Sequence, residues 1–171
     1  MLKSLKMKYI TFVRHAKSSW DSLFISDYER PLNTRGERDS IFMGKKLFEL
    51  GYKPQLIVTS TAERAQMTAK NFAKGLQMDN IIIASELFDS SSFKYLVVIS
   101  KVDNSYDDIM IVGHNPILTA IINNYNRELI SNVPTSGLFK LQFDVESWDE
   151  VNFNSGKLID FIYPKMFENE L

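Results

Sequence analysis

Four short apolar runs punctuate the first two thirds of the chain. They are YITFV at 9–13, QLIVTS at 55–60, IIIAS at 81–85 and IMIVGHNP at 109–116. All four read as strands, and the first two as strands buried within the sheet, YITFV being continuous rather than alternating as in a strand covered on both faces. Between them the period lengthens. After residue 33, Thr34 and Glu37 have capping-box spacing, Ile41, Leu47 and Phe48 can share a helix face, and Gly51 and Pro54 supply stop signals. After the second run, Ser60 and Glu63 repeat the capping spacing, Ala65, Ala69, Phe72, Ala73 and Leu76 form an inner stripe, and Gly75 marks the end. SFKYLVVISKV suits a helix through Phe93, Leu96, Val97 and Ser100. Asn115 and Pro116 suit an N-cap and first turn ahead of Leu118, Ile121, Ile122 and Tyr125. Late in the chain the period falls to two, with Phe139, Leu141, Phe143 and Val145 alternating with polar residues. NSG at 154–156 reads as a turn and LIDFIY at 158–163 as a last strand, making a hairpin. The order β-α-β-α-β-α-β-α-β-β predicts an α/β fold in one domain spanning 1–171. Its mostly parallel central sheet would carry helices on both faces and an antiparallel portion near the C-terminus.

Composition narrows the function. A chain of 171 residues with net charge −1 offers no basic surface for nucleic acid and no acidic tail. It has no cysteine, which removes disulfides, thiolate metal sites and a cysteine nucleophile and fits a cytoplasmic protein. The N-terminus lacks a signal-peptide core, no apolar run is long enough to span a bilayer, and Met7 is an alternative start. There is no P-loop, no G-x-G-x-x-G, no D-x-D pair and no clustered acid–histidine metal motif. The reading therefore includes no metal and no cofactor.

In open α/β sheets ligands bind beyond the carboxyl ends of the strands. The first strand delivers Arg14 and His15 there, the second Ser60, Thr61 and Arg64, the third Ser85 and Glu86, and the fourth Gly113, His114 and Asn115. A histidine at a strand end is often a polar cap on the core, but both histidines of the chain arrive at this one edge. Arg64 falls in the first turn of a helix, where the dipole disfavours a cation unless an anion binds beside it. A charge next to His15 lowers its pKa and keeps a nitrogen lone pair free, while a backbone carbonyl can hold the other nitrogen. Two arginines match a phosphoryl group, and Arg14, Arg64 and His114 could surround its oxygens. Thr34, Ser60 and Thr61 are read as caps first. Residues 16–32 form a long loop, functional or mobile, whose Trp20, Phe24 and Tyr28 either pack or stack on substrate.

With VRHAKSSW, RPLNTRG, TSTAERAQMTA, VGHNP and VPTSG on the page, the chain resembles the histidine phosphatase superfamily, and within it the SixA-like phosphohistidine phosphatases, from about residue 8 to 163. The resemblance implies a phosphoglycerate mutase-like fold and a metal-independent phosphatase with a phosphohistidine intermediate. His15 would be the nucleophile. Arg14, Arg64 and His114 would bind the phosphoryl group, with Ser18 and Asn115 beside it, and Glu86 would stand near the acid that protonates a leaving oxygen. Ala16, where many relatives have glycine, is a branch marker. The implied partner is a phosphohistidine-bearing protein. A small phosphorylated metabolite as substrate, or a non-catalytic phosphate-binding module, are the alternatives.

Overall fold

The computed structural model describes residues 6–171, so Met1 and most of the residues ahead of the alternative start at Met7 lie outside the described residues. Six strands form one sheet: β1 (Met7–Arg14), β2 (Leu56–Thr59), β3 (Ile81–Ile83), β4 (Asp108–Gly113), β5 (Leu138–Asp144) and β6 (Lys157–Ile162). Their spatial order is β3-β2-β4-β1-β5-β6. β1, β2, β3 and β4 pair in parallel, whereas β5 runs antiparallel to both β1 and β6. The continuous apolar runs are thus the parallel strands, and the alternating segment is the antiparallel hairpin, as the change of period predicts.

Four helices cover the two faces: α1 (Thr34–Glu49), α2 (Glu63–Leu76), α3 (Ser92–Ser100) and α4 (Ile117–Asn123). α1 and α2 pack on the face of Val13, Ile57, Met110 and Val112. α3 and α4 pack on the face of Ile10, Phe12, Val58, Ile109 and Ile111. Among the described residues no helix is long and apolar enough to cross a membrane.

Several local expectations need correction. Asn33, not Thr34, caps α1, its side chain accepting from the Gly36 N–H at 2.9 Å. α1 buries Gly36, Ser40, Met43, Gly44 and Leu47, while Ile41 and Phe48 are exposed. The reason is close backbone contact, with α2 at Gly44 and with Lys17 at Gly36. A Cβ on Gly44 would lie 2.9 Å from the Phe72 Cα, and one on Gly75 would lie 2.3 Å from the Gly44 carbonyl carbon. Gly75 is therefore a contact point inside α2 rather than its end, and Gln77 takes the left-handed cap conformation, φ 58°. α3 buries Tyr95, Val98 and Ile99 and leaves Phe93 exposed, a face turned from the one predicted. α4 starts one residue late, with Pro116 rather than Asn115 at the cap. The Ser60–Glu63 capping box does not form, because α2 starts beyond Ala62 and Ser60 is used elsewhere.

β1 and β4 are neighbours, with Arg14 opposite Gly113. After β1 the chain leaves for the α1 face, and after β4 for the α4 face. The two carboxyl ends therefore flank a crevice at the point where the connections diverge, the place such sheets keep for ligands.

Candidate active site

Strand register builds the site. The His15 N–H donates to the Gly113 carbonyl at 3.0 Å, which sets His15 beside His114 at the sheet edge. The two imidazole centroids are 5.1 Å apart. The Ser60 N–H donates to the Val112 carbonyl at 3.1 Å, which puts the Ser60 hydroxyl 2.8 Å from His114 Nε2. Below them Tyr95, fully buried, receives the His114 backbone N–H on its hydroxyl at 3.2 Å. A Cβ at position 113 would fall 1.9 Å from that hydroxyl oxygen, so glycine there is a steric requirement of the pair.

His15 Nδ1 lies 2.8 Å from the Ala16 carbonyl. The tautomer that satisfies this contact carries its proton on Nδ1 and leaves Nε2 bare. Arg64 Nε donates to that bare nitrogen at 3.4 Å. Burial pushes the His15 imidazole down to about 3. The bond to Ala16 opposes this, and His114, Arg64 and Arg14 add to it. Burial followed by the Arg64 charge pushes His114 down to about 4, with Asp27 opposing and Arg14 adding. Both rings are neutral at physiological pH. The sequence predicts a neutral His15 from its arginine neighbour; desolvation turns out to be the larger cause.

Arg14 is aimed by a loop far along the chain. Its Nη1 donates to Asn132 Oδ1 at 2.6 Å and to the Val133 carbonyl at 2.8 Å. Asn115 Nδ2 reaches the same carbonyl at 3.1 Å, and Asn115 Oδ1 accepts from Thr119 at 3.0 Å. The buried Nε of Arg14 and Nδ1 of His114 have no hydrogen-bond partner among the described residues. A cavity of about 400 Å3 is lined by Arg14, His15, Asp27, Arg64, His114 and Asn115, with Phe88 and Asp89 on one wall. A smaller one of about 160 Å3 shares Arg14, His15 and Arg64 and extends to Lys17, Ser18, Trp20 and Arg30.

Of the residues the sequence points to, the structure thus gathers Arg14, His15, Arg64, His114 and Asn115 around one cavity and Ser18 beside it. Ser18 Oγ accepts from Arg30. Glu86 is not brought there. It sits on a single 3-10 turn, pairs with Lys101 at 3.1 Å, and lines a different cavity with Ile82, Ile83 and Lys101. The turn carries it sideways toward α3, because β3 at the sheet edge ends short of the crevice. Its own backbone N–H and Lys101 hold its carboxyl below the usual range, so it is ionised at neutral pH.

Sequence reading passed over Asp27. Its Oδ2 lies 2.9 Å from Arg64 Nη2 and its Oδ1 2.7 Å from Arg30 Nη1, and its carbonyl accepts from Arg64 Nη1. The one signal for it was its place in a long aromatic loop, which the structure seats at the site. Tyr28 stands edge-on to Phe88 at 5.3 Å, and Phe88 edge-on to His114 at 5.9 Å. Trp20 stacks on the Arg30 guanidinium at 3.3 Å, whereas Phe24 is 98% exposed and touches neither core nor cavity.

The model of the histidine phosphatase superfamily (branch 1) matches residues 10–91. An uncharacterised chloroplastic protein of Arabidopsis thaliana is 35% identical over 118 residues, covering 62% of this chain and 53% of that protein. The 2,3-bisphosphoglycerate-dependent phosphoglycerate mutase of Bartonella henselae is 32% identical over 74 residues, 42% of this chain and 36% of the mutase. The chain therefore spans about half or less of the length of these relatives. The putative phosphohistidine phosphatase SixA of Agrobacterium tumefaciens superposes with a TM-score of 0.78 at 28% identity, over 92% of this chain and 98% of that one. Two histidines and two arginines from separate segments meet at the crevice of a sheet of this topology, in agreement with these likenesses: over residues 10–91 the chain is similar to the histidine phosphatase superfamily (branch 1), and its fold is SixA-like.

Proposed function

We propose that the protein is a metal-independent phosphatase that dephosphorylates phosphohistidine on proteins through a phosphorylated His15. The observation that carries this reading is the bare Nε2 of a neutral His15, set among Arg14, Arg64 and His114 in one cavity. In the first step Nε2 forms a bond to phosphorus while the substrate's P–N bond breaks. The leaving imidazole, whose other nitrogen carries a proton, departs neutral. In the second step a water oxygen bonds to phosphorus, the P–Nε2 bond breaks, and inorganic phosphate leaves with His15 neutral again. Arg14 Nε–H and His114 Nδ1, both without protein partners among the described residues, supply hydrogen-bonding capacity for the phosphoryl oxygens.

The position of Glu86 favours this substrate over an ester. An ester's leaving oxygen needs a proton donor, and Glu86 is ionised and outside the cavity. The partner we propose is thus a phosphohistidine-bearing protein, in the cytoplasm. The test compares kcat/KM for a phosphohistidine protein with a panel of phosphate monoesters, for wild type and His15→Ala. The expected result is preference for phosphohistidine, an acid-labile and base-stable phosphoenzyme, and loss of both in His15→Ala. Phosphate release by His15→Ala at the wild-type rate refutes the mechanism, and a clear preference for one monoester refutes the substrate.

A further inference from the structure

Each nitrogen of Arg64 already has a partner before any substrate arrives. Its three nitrogens face, in turn, His15 Nε2, the Asp27 carbonyl and the Asp27 carboxylate. Its side chain is 8% exposed, so few other directions are open to it. The Asp27 carboxylate bridges Arg64 and Arg30, and it lines the same cavity as both histidines. Partial burial works against its charge, but Arg30 and Arg64 together hold its carboxyl below the usual carboxylate range, so it is an anion at neutral pH.

We propose that Asp27 is a specificity-determining residue that acts as an internal competitor, occupying the Arg64 side of the phosphoryl site until a phosphoryl dianion displaces it. The inference rests on the reading of this cavity as the phosphoryl site. Planar guanidinium forks grip carboxylate and phosphoryl oxygens with the same geometry. Two anions on one buried fork repel each other, so occupation by Asp27 and by phosphoryl exclude one another. The consequence is selective. A monoanion gains too little from the clamp to displace a carboxylate already seated there. A dianion gains contacts with Arg14 and His114 as well. Asp27 also returns to Arg64 as inorganic phosphate leaves, which limits product inhibition.

Removing the competitor raises the affinity for any ion that uses the clamp. If the carboxylate is seated in most molecules, the apparent dissociation constant is raised by the reciprocal of the free fraction. A partly solvated ion pair of this kind accounts for roughly two- to sixfold. The experiment is calorimetric titration of full-length wild type, Asp27→Asn and Arg64→Ala with tungstate and with inorganic phosphate, with Tm recorded for each. The expected result is binding about two- to sixfold tighter in Asp27→Asn, weaker in Arg64→Ala, and stronger inhibition of Asp27→Asn by phosphate. Asp27→Ala serves as a second variant, since Asp27 is 53% exposed and its loss leaves the core untouched. Equal or weaker binding in both Asp27 variants, with wild type binding normally, overturns the competitor and makes Asp27 a residue that merely orients Arg64. Failure of wild type itself to bind either ion, or binding unaffected by Arg64→Ala, overturns the reading of the cavity and the competitor with it.

Discussion

Folding this chain buries two neutral imidazoles, and that makes its stability fall in mild acid. In the unfolded chain each histidine titrates near 6.5, whereas in the folded protein His15 sits at about 3 and His114 at about 4. As pH falls below 6.5 the unfolded chain takes up two protons that the folded protein refuses, so the unfolded state gains. The stabilisation is full above the unfolded value and is lost progressively toward the folded ones. At pH 5 each histidine costs about 2 kcal/mol relative to pH 7, about 4 kcal/mol for the pair. This figure is insensitive to the folded values, because both lie well below 5 and the unfolded value alone sets it. With a urea slope of about 2 kcal/mol/M, the midpoint drops by about 2 M between pH 7 and pH 5. His15→Asn removes one of the two groups and halves the drop. Asp27, lowered on folding, and Asp108, raised by burial, are common to both proteins and cancel in the comparison. Proton NMR of the ring C–H signals checks the cause directly, with both rings staying neutral at pH 5. Equal midpoint shifts in wild type and His15→Asn, or a ring titrating near 6.5 in the folded protein, would refute the reasoning.

Gly113→Ala should cost about 1–3 kcal/mol, because its methyl group would lie 1.9 Å from the Tyr95 hydroxyl oxygen. Tyr95→Phe removes that oxygen, so a double-mutant cycle read by urea unfolding should show coupling of at least about 0.5 kcal/mol, and strict additivity counts against the contact. Lys8→Ala should cost about 2–3 kcal/mol, since the fully buried ammonium holds the Asn104 and Tyr106 carbonyls and Asp107 at 2.9, 2.6 and 2.7 Å. The loss stays below that of a wholly buried pair because the Asp107 side chain is 47% exposed, and a negligible change in urea midpoint would contradict it. Glu86→Gln should leave kcat and KM for phosphohistidine within about twofold of wild type, because Glu86 faces Lys101 rather than the cavity; a large fall in kcat would return it to the reaction.

Much of the architecture was legible because burial on two faces writes a continuous apolar run and burial on one face writes an alternation. Those patterns in 9–13, 55–60, 109–116 and 139–145 predicted a mostly parallel sheet with an antiparallel hairpin. They placed Arg14, His15, Arg64, His114 and Asn115 at one edge, since a strand's carboxyl end is known once the strand is. Helix faces were harder. α1 turns Ser40 and Gly44 inward toward α2, and Gly36 inward against the Lys17 backbone, because backbone proximity, not side-chain hydrophobicity, decides those contacts, and proximity has no period in sequence. Ser60 has cap spacing, yet β2–β4 register delivers its hydroxyl to His114. Glu86 follows a strand as an acid should, yet the turn after an edge strand carries it to Lys101. Asp27 lies 37 residues from Arg64, and only the folded loop lets the two meet. Local pattern is set by what each residue buries, which the sequence alone determined here. The final placement of charged groups depends on register, helix spacing and loop path, which are sums of many distant contacts and exist only in the tertiary structure.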